Sequence, residues 1–590
     1  MSTFTKGRWD LSCLVSDKNQ KDLDRKITQL QNKVEQFEKN KKSLKPDISA
    51  KKFMEIVHDL EAISEQMSII GSFASLSYSA DTQSDKATSL LTKITQLSSV
   101  IANQTVFFDL WWKKGIDEKN AARLLQNSGD LEEFLRHKRV LAKYSLSEPE
   151  EKIINKLDVT GPTALVKLYD KITNSFEYRI KTNGKAKSLT REELTTLVRS
   201  TKSRTREQAY KALLTKYRDN KGVLGEIYQN IVLNWKDESL DIRGYESPIS
   251  VRNIANDIED KTVESLLKVC RENTDVFQKF FRQKAKMIGK KKLRRYDIYA
   301  PSTSRIKEKT YSYQKAVTTV LESLSKFSPK MAEFAENVFK KNHVDSEIRQ
   351  GKRDGAFCSS PAPKITPYVM LSYAGKTRDV FTLAHEIGHA IHSQAARDKS
   401  ILVSDAPLPL AETASTFSEL LLYDNISQSI SDSTKKIMLS EKIDDLYATI
   451  MRQSFFTLFE IDAHKQIAGM ATVDEISDTY QKNLKEQFAN SIQLSDDFSI
   501  EWSCIPHFFH TPFYCYAYSF GNLLSLSLFQ RYKKEGDKFA SDYLNILEAG
   551  GAKKPENLLS EHGFDISSAK FWRDGFDYVR NQVDELAKLN

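Results

Sequence analysis

Three histidines and one glutamate lie within twelve consecutive residues of this chain, in the stretch TLAHEIGHAIHS at residues 382–393. The whole chain of 590 residues has only ten histidines, so the stretch is exceptional in composition. On an α-helix each residue advances by about 100°, and His385 and His389, four residues apart, therefore lie on one face. Two imidazoles directed at one point predict a metal site on a helix.

The residues around these two histidines fit the same interpretation. Glu386 follows His385 directly, which places its carboxylate beside the metal, where it can act as a general base toward a bound water. Gly388 costs up to about 1 kcal/mol relative to alanine inside a helix, so we expect another element to approach the helix closely there. His392 shares the face, and we expect it to pack or to support a ligand rather than to bind the metal.

A catalytic zinc ion usually has three protein ligands, so one further ligand is needed. The segment PLPLAETASTFSELLLYD predicts a helix that begins at its prolines, with Glu412 and Glu419 on one face. Glu412 follows His389 by 23 residues, which leaves room for a loop and a returning helix. We expect Glu412 as the third ligand, Glu419 as a partner of one of the histidines, and one zinc ion per chain. Cobalt or manganese can occupy similar ligands.

Helical periodicity dominates the chain, most clearly in its first third. Apolar residues recur at helical spacing in LDRKITQLQNKVEQFEKN, and prolines are almost absent as far as about residue 118. Three zones are typical of extended structure: 176–180, followed by a hairpin turn at Asn183-Gly184, then 294–302, and 355–375. We expect a mainly α-helical fold with a small β-sheet beside the metal-binding helix.

The composition excludes several classes of partner. The net charge of +9 arises from 88 basic and 79 acidic residues, a mild excess that predicts no nucleic-acid partner, and we expect the basic run KKKLRR at 290–295 to be a solvated loop. No apolar run approaches 18 residues and the N-terminus lacks a signal-type apolar stretch, so we expect no membrane partner.

The five cysteines lack CxxC spacing, so we expect neither disulfide bonds nor a zinc site made of thiolates. Free cysteines are typical of a reducing compartment, and we therefore expect a cytoplasmic location. The sequence leaves the oligomeric state open.

Aromatic residues and histidines crowd the segment IPHFFHTPFYCYAYSFGN at residues 505–522. It contains His507, His510, Tyr514, Tyr516 and Tyr518. By pattern alone this is an aromatic core segment with polar tips. The alternative is a set of hydrogen-bond donors for negative charge that develops on a substrate oxygen.

Six segments together suggest a known family: GRWDLS, YDIYAP, GKRDGAFC, PYVMLSYAGKTRDVFTLAHEIGHAIH, LAETASTFSELLL and the aromatic segment. In them the chain resembles the M3 family of zinc metallopeptidases, and within it the oligoendopeptidase F group. The resemblance covers nearly the whole chain and is strongest from about residue 198. It implies a helical, zincin-like fold with a deep active-site channel. It also implies an N-terminal helical region at 1–115, an oligoendopeptidase F-type helical domain at 116–190 and an M3-type catalytic domain at 191–590.

The resemblance implies roles for single residues as well. The glutamate of the family's AExAS segment, its third zinc ligand, matches Glu412, in agreement with the spacing. A histidine and tyrosines of the aromatic segment lie over the active site in the family. The nearest matches here are His507, Tyr514 and Tyr516, with Tyr516 as the first choice for the oxyanion donor and His510 as a supporting residue.

These inferences predict a zinc-dependent endopeptidase that hydrolyses internal bonds of short peptides. Glu386 would deprotonate the attacking water and pass the proton to the leaving amine. The extended backbone at 368–373 is a candidate to pair with the substrate as an added strand. The family often has asparagine where this chain has Ser372, which affects substrate contacts but not the metal ligands. A helical HExxH metallocarboxypeptidase and a non-catalytic peptide-binding protein are the alternatives.

Overall fold

The computed structural model of the protein describes residues 3–16, 20–182, 185–302 and 310–589. Within these ranges it is built from 26 α-helices and seven strands of two to five residues. The predicted mainly α-helical fold is therefore confirmed. Long stretches with apolar residues at helical spacing and few prolines account for the dominance of helix. The predicted deep channel stays a prediction.

The first thirteen helices occupy the chain as far as residue 287. They are α1 Gln20–Lys39, α2 Ala50–Ala80, α3 Asp85–Lys114, α4 Glu118–Leu125, α5 Glu132–Ala142, α6 Glu148–Thr160, α7 Pro162–Asn174, α8 Arg191–Leu197, α9 Ser203–Asp219, α10 Lys221–Trp235, α11 Ser250–Ala255, α12 Asp260–Glu272 and α13 Thr274–Met287.

The remaining helices begin at residue 313. They are α14 Tyr313–Phe327, α15 Pro329–Lys340, α16 Thr377–Ala395, α17 Leu408–Ala411, α18 Thr413–Ser427, α19 Asp432–Leu446, α20 Arg452–Ala468, α21 Val473–Phe488, α22 Pro506–His510, α23 Tyr516–Glu535, α24 Lys538–Glu548, α25 Pro555–Glu561 and α26 Ala569–Lys588. Short 3₁₀ turns lie at Asn40–Ser43, Gly129–Leu131, Arg295–Asp297 and Asp496–Cys504, and π-helical turns at Lys236–Ile242 and Tyr447–Met451.

The strands form three small sheets. They are β1 Tyr178–Thr182, β2 Lys185–Leu189, β3 Leu293–Arg294, β4 Val344–Asp345, β5 Phe357–Ser359, β6 Tyr368–Met370 and β7 Ile492–Gln493. β1 and β2 are antiparallel, β3 and β7 are parallel, and β6 lies between parallel β4 and antiparallel β5. Strands thus occur in or next to all three zones predicted as extended, but in the second zone the strand β3 ends at Arg294 and a 3₁₀ turn follows at Arg295–Asp297. The predicted hairpin turn at Asn183-Gly184 lies outside the described residues.

Two compact units are formed by packing, each from three separate stretches of chain. The first unit contains Met1–Lys143, Glu308–Ser429 and Leu528–Phe564, and the second contains Tyr144–Lys307, Ile430–Ser527 and Asp565–Asn590. The division predicted at residues 115 and 190 follows the sequence rather than the packing, and it stays a prediction.

In the first unit, α16 contains the HEIGH sequence and lies in the core. Its start is fixed by the carboxylate of Asp379, which accepts hydrogen bonds from the backbone N–H groups of Ala374 and Lys376 (2.8 and 3.0 Å). Its second half is fixed by Gln394, whose side-chain amide donates to the carbonyl of Phe334 on α15 (2.7 Å). α16 packs against α15, α18 and the three-stranded sheet, so its metal-binding face is held from several sides. The predicted sheet beside this helix is confirmed.

At Gly388 the backbone of α18 closely approaches α16. A Cβ atom at Gly388 would lie 2.5 Å from both the carbonyl oxygen of Ala414 and the Cα of Ser415. These are backbone atoms at the start of α18, so no side-chain rotation can relieve the contact. The predicted close approach of another element is confirmed.

In the second unit, the basic run at 290–295 is partly used inside the protein. Lys290 and Arg294 both contact Asp297, at 2.7 and 3.2 Å, and Arg295 donates to Glu501 at 2.7 Å. Arg295 and Asp297 are almost fully buried. The expectation of a solvated loop was therefore wrong for these three cations, because buried carboxylates need such partners.

Two further expectations concern the whole chain. The five cysteines, all of which lie within the described ranges, form no disulfide bonds. Across the part of the chain that the structure describes, no helix combines the length and apolar character needed to cross a membrane.

The packing at Gly388 predicts that Gly388→Ala lowers the melting temperature and the metal content together. We expect a loss of about 1–3 kcal/mol in unfolding free energy, because α18 must shift to make room for the methyl group. Thermal unfolding and metal analysis of the purified variant measure both effects.

Gly71 provides a matched control within helix α2. A Cβ there would lie 3.9 Å from the flexible end of Met67, so Gly71→Ala should be neutral or stabilise by about 0.5–1 kcal/mol. Equal behaviour of the two variants would contradict the close approach at Gly388.

Candidate metal and active site

Two histidines and one glutamate converge on one point in the first unit. Oε2 of Glu412 lies 3.4 Å from Nε2 of His385 and 3.5 Å from Nε2 of His389. The two imidazole rings are nearly perpendicular, with centroids 4.9 Å apart. These three residues are the group of potential metal ligands found in the described ranges.

The spacing of the three atoms fits a first-row metal ion. Nitrogen and oxygen ligands bound tetrahedrally at about 2.0–2.1 Å lie about 3.3–3.4 Å from each other. The observed distances of 3.4 and 3.5 Å agree with this geometry. Each of the three side chains is between 26% and 31% exposed, so the point between them is accessible. Three protein ligands with an accessible fourth position are typical of a catalytic site rather than a structural one.

Glu412 lies between two helices, and not within a single helix as predicted. The prolines do begin a helix, the short α17, but the chain breaks at Glu412 and α18 begins at Thr413. Glu412 has φ −87° and ψ 2°, outside the helical region, so the single helix predicted here was wrong. Ser415 Oγ donates to Oε2 of Glu412 at 2.6 Å, and this bond orients the carboxylate.

Glu419 contacts the first histidine of the motif. Nδ1–H of His385 donates to Oε1 of Glu419 at 2.6 Å, which leaves Nε2 as the atom that faces Glu412. Burial lowers the pKa of His385, but the bond to Glu419 and the charges of the nearby glutamates outweigh it and raise the pKa to about 9. A metal ion binds the deprotonated Nε2 of a histidine, so metal binding at His385 competes with this proton.

The pKa of His389 is shifted in the opposite direction to that of His385. Its pKa lies below the ordinary value because burial disfavours the imidazolium, and the charge of His385 adds to this effect despite the attraction of Glu412. His389 is thus available as a neutral ligand.

Glu386 is the buried carboxyl beside these ligands. It is 6% exposed, and burial raises its pKa to about 7, with a further contribution from Glu412 and Glu419 that His385 opposes. A pKa near 7 is suited to a group that accepts and returns a proton at neutral pH. Sequence reasoning placed this glutamate beside the metal, and its environment supplies the pKa for such a role.

The two other histidines predicted as supporting residues have different surroundings. His392 is buried in α16, and burial together with His389 lowers its pKa to about 4, so it is neutral. His510, in the second unit, lies at the surface, where its Nε2 contacts Oδ1 of Asp170 on α7 at 2.8 Å.

The sheet beside α16 has a different free edge from the one predicted. β6, at residues 368–370, is hydrogen-bonded on both sides, by β4 and by β5. A substrate cannot pair with a central strand, so the prediction was wrong for these residues. The two edge strands are β4 and β5. Of these, β5, at residues 357–359, contains Cys358, whose thiol pKa is raised by burial and further by the charge of Glu386.

The aromatic segment, in the second unit, divides into a buried part and a half-exposed part. Tyr516 is fully buried, and its hydroxyl accepts a hydrogen bond from the amide of Asn256 at 2.8 Å. Tyr514, Tyr518 and His507 are only partly buried and lie side by side, with ring centroids 5.4–5.9 Å apart. The Tyr518 hydroxyl lies 3.4 Å from Nε2 of His507.

Tyr518 is the residue of this cluster that sequence reasoning did not select. It lies four residues after Tyr514, and that spacing was the available signal that the two tyrosines share a face. Burial lowers the pKa of His507, and the charges of His510 and Arg452 add to this, so its imidazole is neutral. The oxyanion role predicted for His507, Tyr514 and Tyr516 stays a prediction.

A largely helical protein with HExxH on a core helix and a glutamate just before a second helix that packs against it has the architecture of a helical metallopeptidase. The chain belongs to peptidase family M3: the model of that family, described as Peptidase family M3, matches residues 196–578. A second model, described as Oligopeptidase F, matches residues 114–178.

Relatives and solved structures agree with this assignment. An oligoendopeptidase F homolog of Borreliella burgdorferi is 27% identical over 99% of this chain and 98% of its own. A solved structure from Chlamydophila abortus, described as a candidate peptidase, is 24% identical with a TM-score of 0.87, covering 99% of this chain and 98% of that one. Oligoendopeptidase F from Enterococcus faecium is 20% identical with a TM-score of 0.72, covering 96% and 99%. At these identities the two structures support the fold alone.

The contact between Ser415 and Glu412 predicts that Ser415→Ala weakens metal retention by about tenfold while the fold persists, because the carboxylate loses the bond that orients it. Competition with a chelator, followed by metal analysis, measures the change. Ser418→Ala is the matched control, because Ser418 is on the same helix, is also buried, and its hydroxyl has no partner among the described residues. Equal loss of metal in both variants would refute the orienting role of Ser415.

Proposed function

We propose that the protein is a zinc-dependent endopeptidase that hydrolyses internal bonds of short peptides. The observation that supports this most directly is the convergence of His385, His389 and Glu412 beside the buried carboxyl of Glu386. Relatives named oligoendopeptidase F add support for oligopeptides as the substrate class. The five unpaired cysteines support a reducing compartment, and we propose that the enzyme works in the cytoplasm.

In this proposal each residue of the site has one task. His385 and His389 would hold zinc through Nε2 and Glu412 through its carboxylate, while Glu419 keeps His385 in the tautomer that leaves Nε2 free to bind. Bound there, zinc would supply a Lewis acid for the substrate carbonyl and the attacking water. Glu386 accepts the proton of that water and delivers it to the nitrogen of the leaving amine.

The edge strand β5 is the proposed site for the substrate backbone. A peptide in extended conformation can add to an exposed strand edge through main-chain hydrogen bonds, which do not depend on the side chains of the peptide. Such binding suits an enzyme that accepts varied short peptides, and the proximity of Cys358 to Glu386 relates this strand to the reacting groups.

Internally quenched peptides that are blocked at both ends test the proposal. An endopeptidase hydrolyses them, whereas a carboxypeptidase needs a free C-terminal carboxylate. Cleavage only of the peptides with a free C-terminus would replace the proposal by a carboxypeptidase, and binding without cleavage of either would replace it by a peptide-binding protein.

Glu386→Gln should retain zinc and lose turnover, because glutamine keeps the shape of the side chain but cannot accept a proton at neutral pH. Metal content and hydrolysis of a blocked peptide are measured on the same preparation. Glu412→Gln is the companion variant, and it should lose both metal and activity. Appreciable turnover by the metal-loaded Glu386→Gln variant would remove the general-base assignment.

The half-exposed cluster leads to a prediction for the tyrosines. We expect Tyr518→Phe to lower kcat by about 10²–10³-fold, or about 3–4 kcal/mol, if its hydroxyl stabilises the oxyanion, with a smaller change in KM. Tyr514→Phe is the second candidate. Tyr516→Phe should stay within about threefold of wild type in kcat and lose about 0.5–1.5 kcal/mol of stability, because its hydroxyl serves Asn256 in the core. The reverse order of kcat effects would restore Tyr516 as the donor.

A further inference from the structure

The turn between α22 and α23, in the second unit, contains an unfavourable backbone conformation. Phe513 has a φ of +57°, a region that a bulky L-residue rarely adopts. The turn lies between His507 on α22 and Tyr518 on α23, and Tyr514 follows Phe513 directly. The conformation of Phe513 therefore contributes to where Tyr514 and Tyr518, which both follow it, lie relative to His507, which precedes it.

A buried carboxyl group on α20 holds this turn. Oε1 of Glu460 accepts a hydrogen bond from the backbone N–H of Phe513 at 2.9 Å. Glu460 is 1% exposed, and its second oxygen, Oε2, has no partner among the described residues. Burying a carboxyl group is unfavourable, and the proposed reaction does not use this one. Its single bond is to the residue with the unusual φ.

Two more side chains hold the turn on either side of Phe513. Nε of Arg252 donates to the carbonyl of Pro512 at 3.2 Å, and the amide of Asn256 donates to the hydroxyl of Tyr516 at 2.8 Å. Arg252 lies within α11, and Asn256 is the residue that follows this helix. Three polar side chains thus contact Pro512 and Phe513 in the turn and Tyr516 at the start of α23.

We propose that Glu460 is a positioning residue for the reaction: it holds Phe513 in the left-handed conformation, and thereby sets Tyr514 and Tyr518 beside His507. This inference rests on the proposed function, because it assumes that the half-exposed cluster takes part in catalysis. Glu460 itself does not touch the substrate in this proposal. It acts through the backbone of the turn.

Packing alone does not explain why a carboxyl group is present. The ring of Phe513 is already buried and lies 4.6 Å from the ring of His464, one helical turn after Glu460. Burial of this ring fixes the side chain, but it does not satisfy the backbone N–H, which would remain unpaired away from water. An acceptor at the position of Oε1 favours the one backbone conformation that directs the N–H of Phe513 toward α20.

Two substitutions of Glu460 separate the acceptor from the charge. Glu460→Gln keeps an oxygen in place of Oε1, and we expect kcat for a blocked peptide within about threefold of wild type. Glu460→Ala removes the acceptor, and we expect kcat to fall by about 10- to 100-fold with KM changed less than about threefold, because a displaced catalytic group loses much of its effect. Metal content should stay at the wild-type level in both variants.

His464→Leu is the control for packing. It changes the side chain against the ring of Phe513, but both imidazole nitrogens lack partners among the described residues, so no hydrogen bond is lost and kcat should stay near wild type. Equal losses of kcat in Glu460→Gln and Glu460→Ala, or a loss in His464→Leu as large as in Glu460→Ala, would overturn the positioning role.

Hydrogen exchange measured by mass spectrometry tests the turn without reference to activity. In the peptide that covers residues 507–518, exchange should be faster in Glu460→Ala than in wild type and Glu460→Gln. Unchanged exchange in Glu460→Ala would overturn the inference, and so would faster exchange with a wild-type kcat. If wild type does not cleave blocked peptides, the proposed function fails, while the exchange data still decide whether Glu460 holds the turn.

Discussion

The approach of α18 to Gly388 on α16 is the contact on which the candidate metal site depends. A glycine in the middle of a core helix weakens that helix, yet here it lets the backbone at Ala414 and Ser415 come within a distance that no side chain would permit. Glu412 lies immediately before this contact, and its carboxylate reaches the two histidines of α16 from there. The third ligand is therefore positioned by backbone packing, with the Ser415 hydroxyl fixing only the last rotation of the carboxylate.

Charge balance explains why this arrangement favours a cation. Glu386, Glu412 and Glu419 surround two imidazoles, and the negative charge of these carboxyl groups favours a proton or a cation at the site. Glu419 and Glu412 raise the pKa of His385, and burial, with a further contribution from the same two carboxylates, raises the pKa of Glu386. A divalent ion neutralises the same charge more completely, and it leaves Glu386 as the group able to exchange a proton with water.

The parts of this structure that were predictable are those with a strong local pattern. Helical spacing predicted the α-fold, and the four-residue spacing in HEIGH, with an acidic helix after two prolines, predicted which residues converge. The interruption of the helix at Glu412 was not predictable, because the helix propensities of the residues do not show where packing against Gly388 ends one helix and begins another. Strand order in the sheet, and therefore its free edge, depends on non-local pairing that no single segment encodes. The basic run was misread for the same reason, because its acidic partners are distant in sequence.

The aromatic segment shows that residue type alone does not distinguish the surroundings of three tyrosines. Tyr514, Tyr516 and Tyr518 have the same hydroxyl group, and a family resemblance favoured the middle one. The positive φ at Phe513 and the start of α23 turn Tyr516 into the core toward Asn256, while its neighbours on either side remain partly exposed. The surroundings of each hydroxyl thus decide which of them can reach solvent or a substrate. The hydrogen bond from the N–H of Phe513 to Glu460, a residue more than fifty positions away in the sequence, is the contact proposed to hold the turn that precedes these tyrosines.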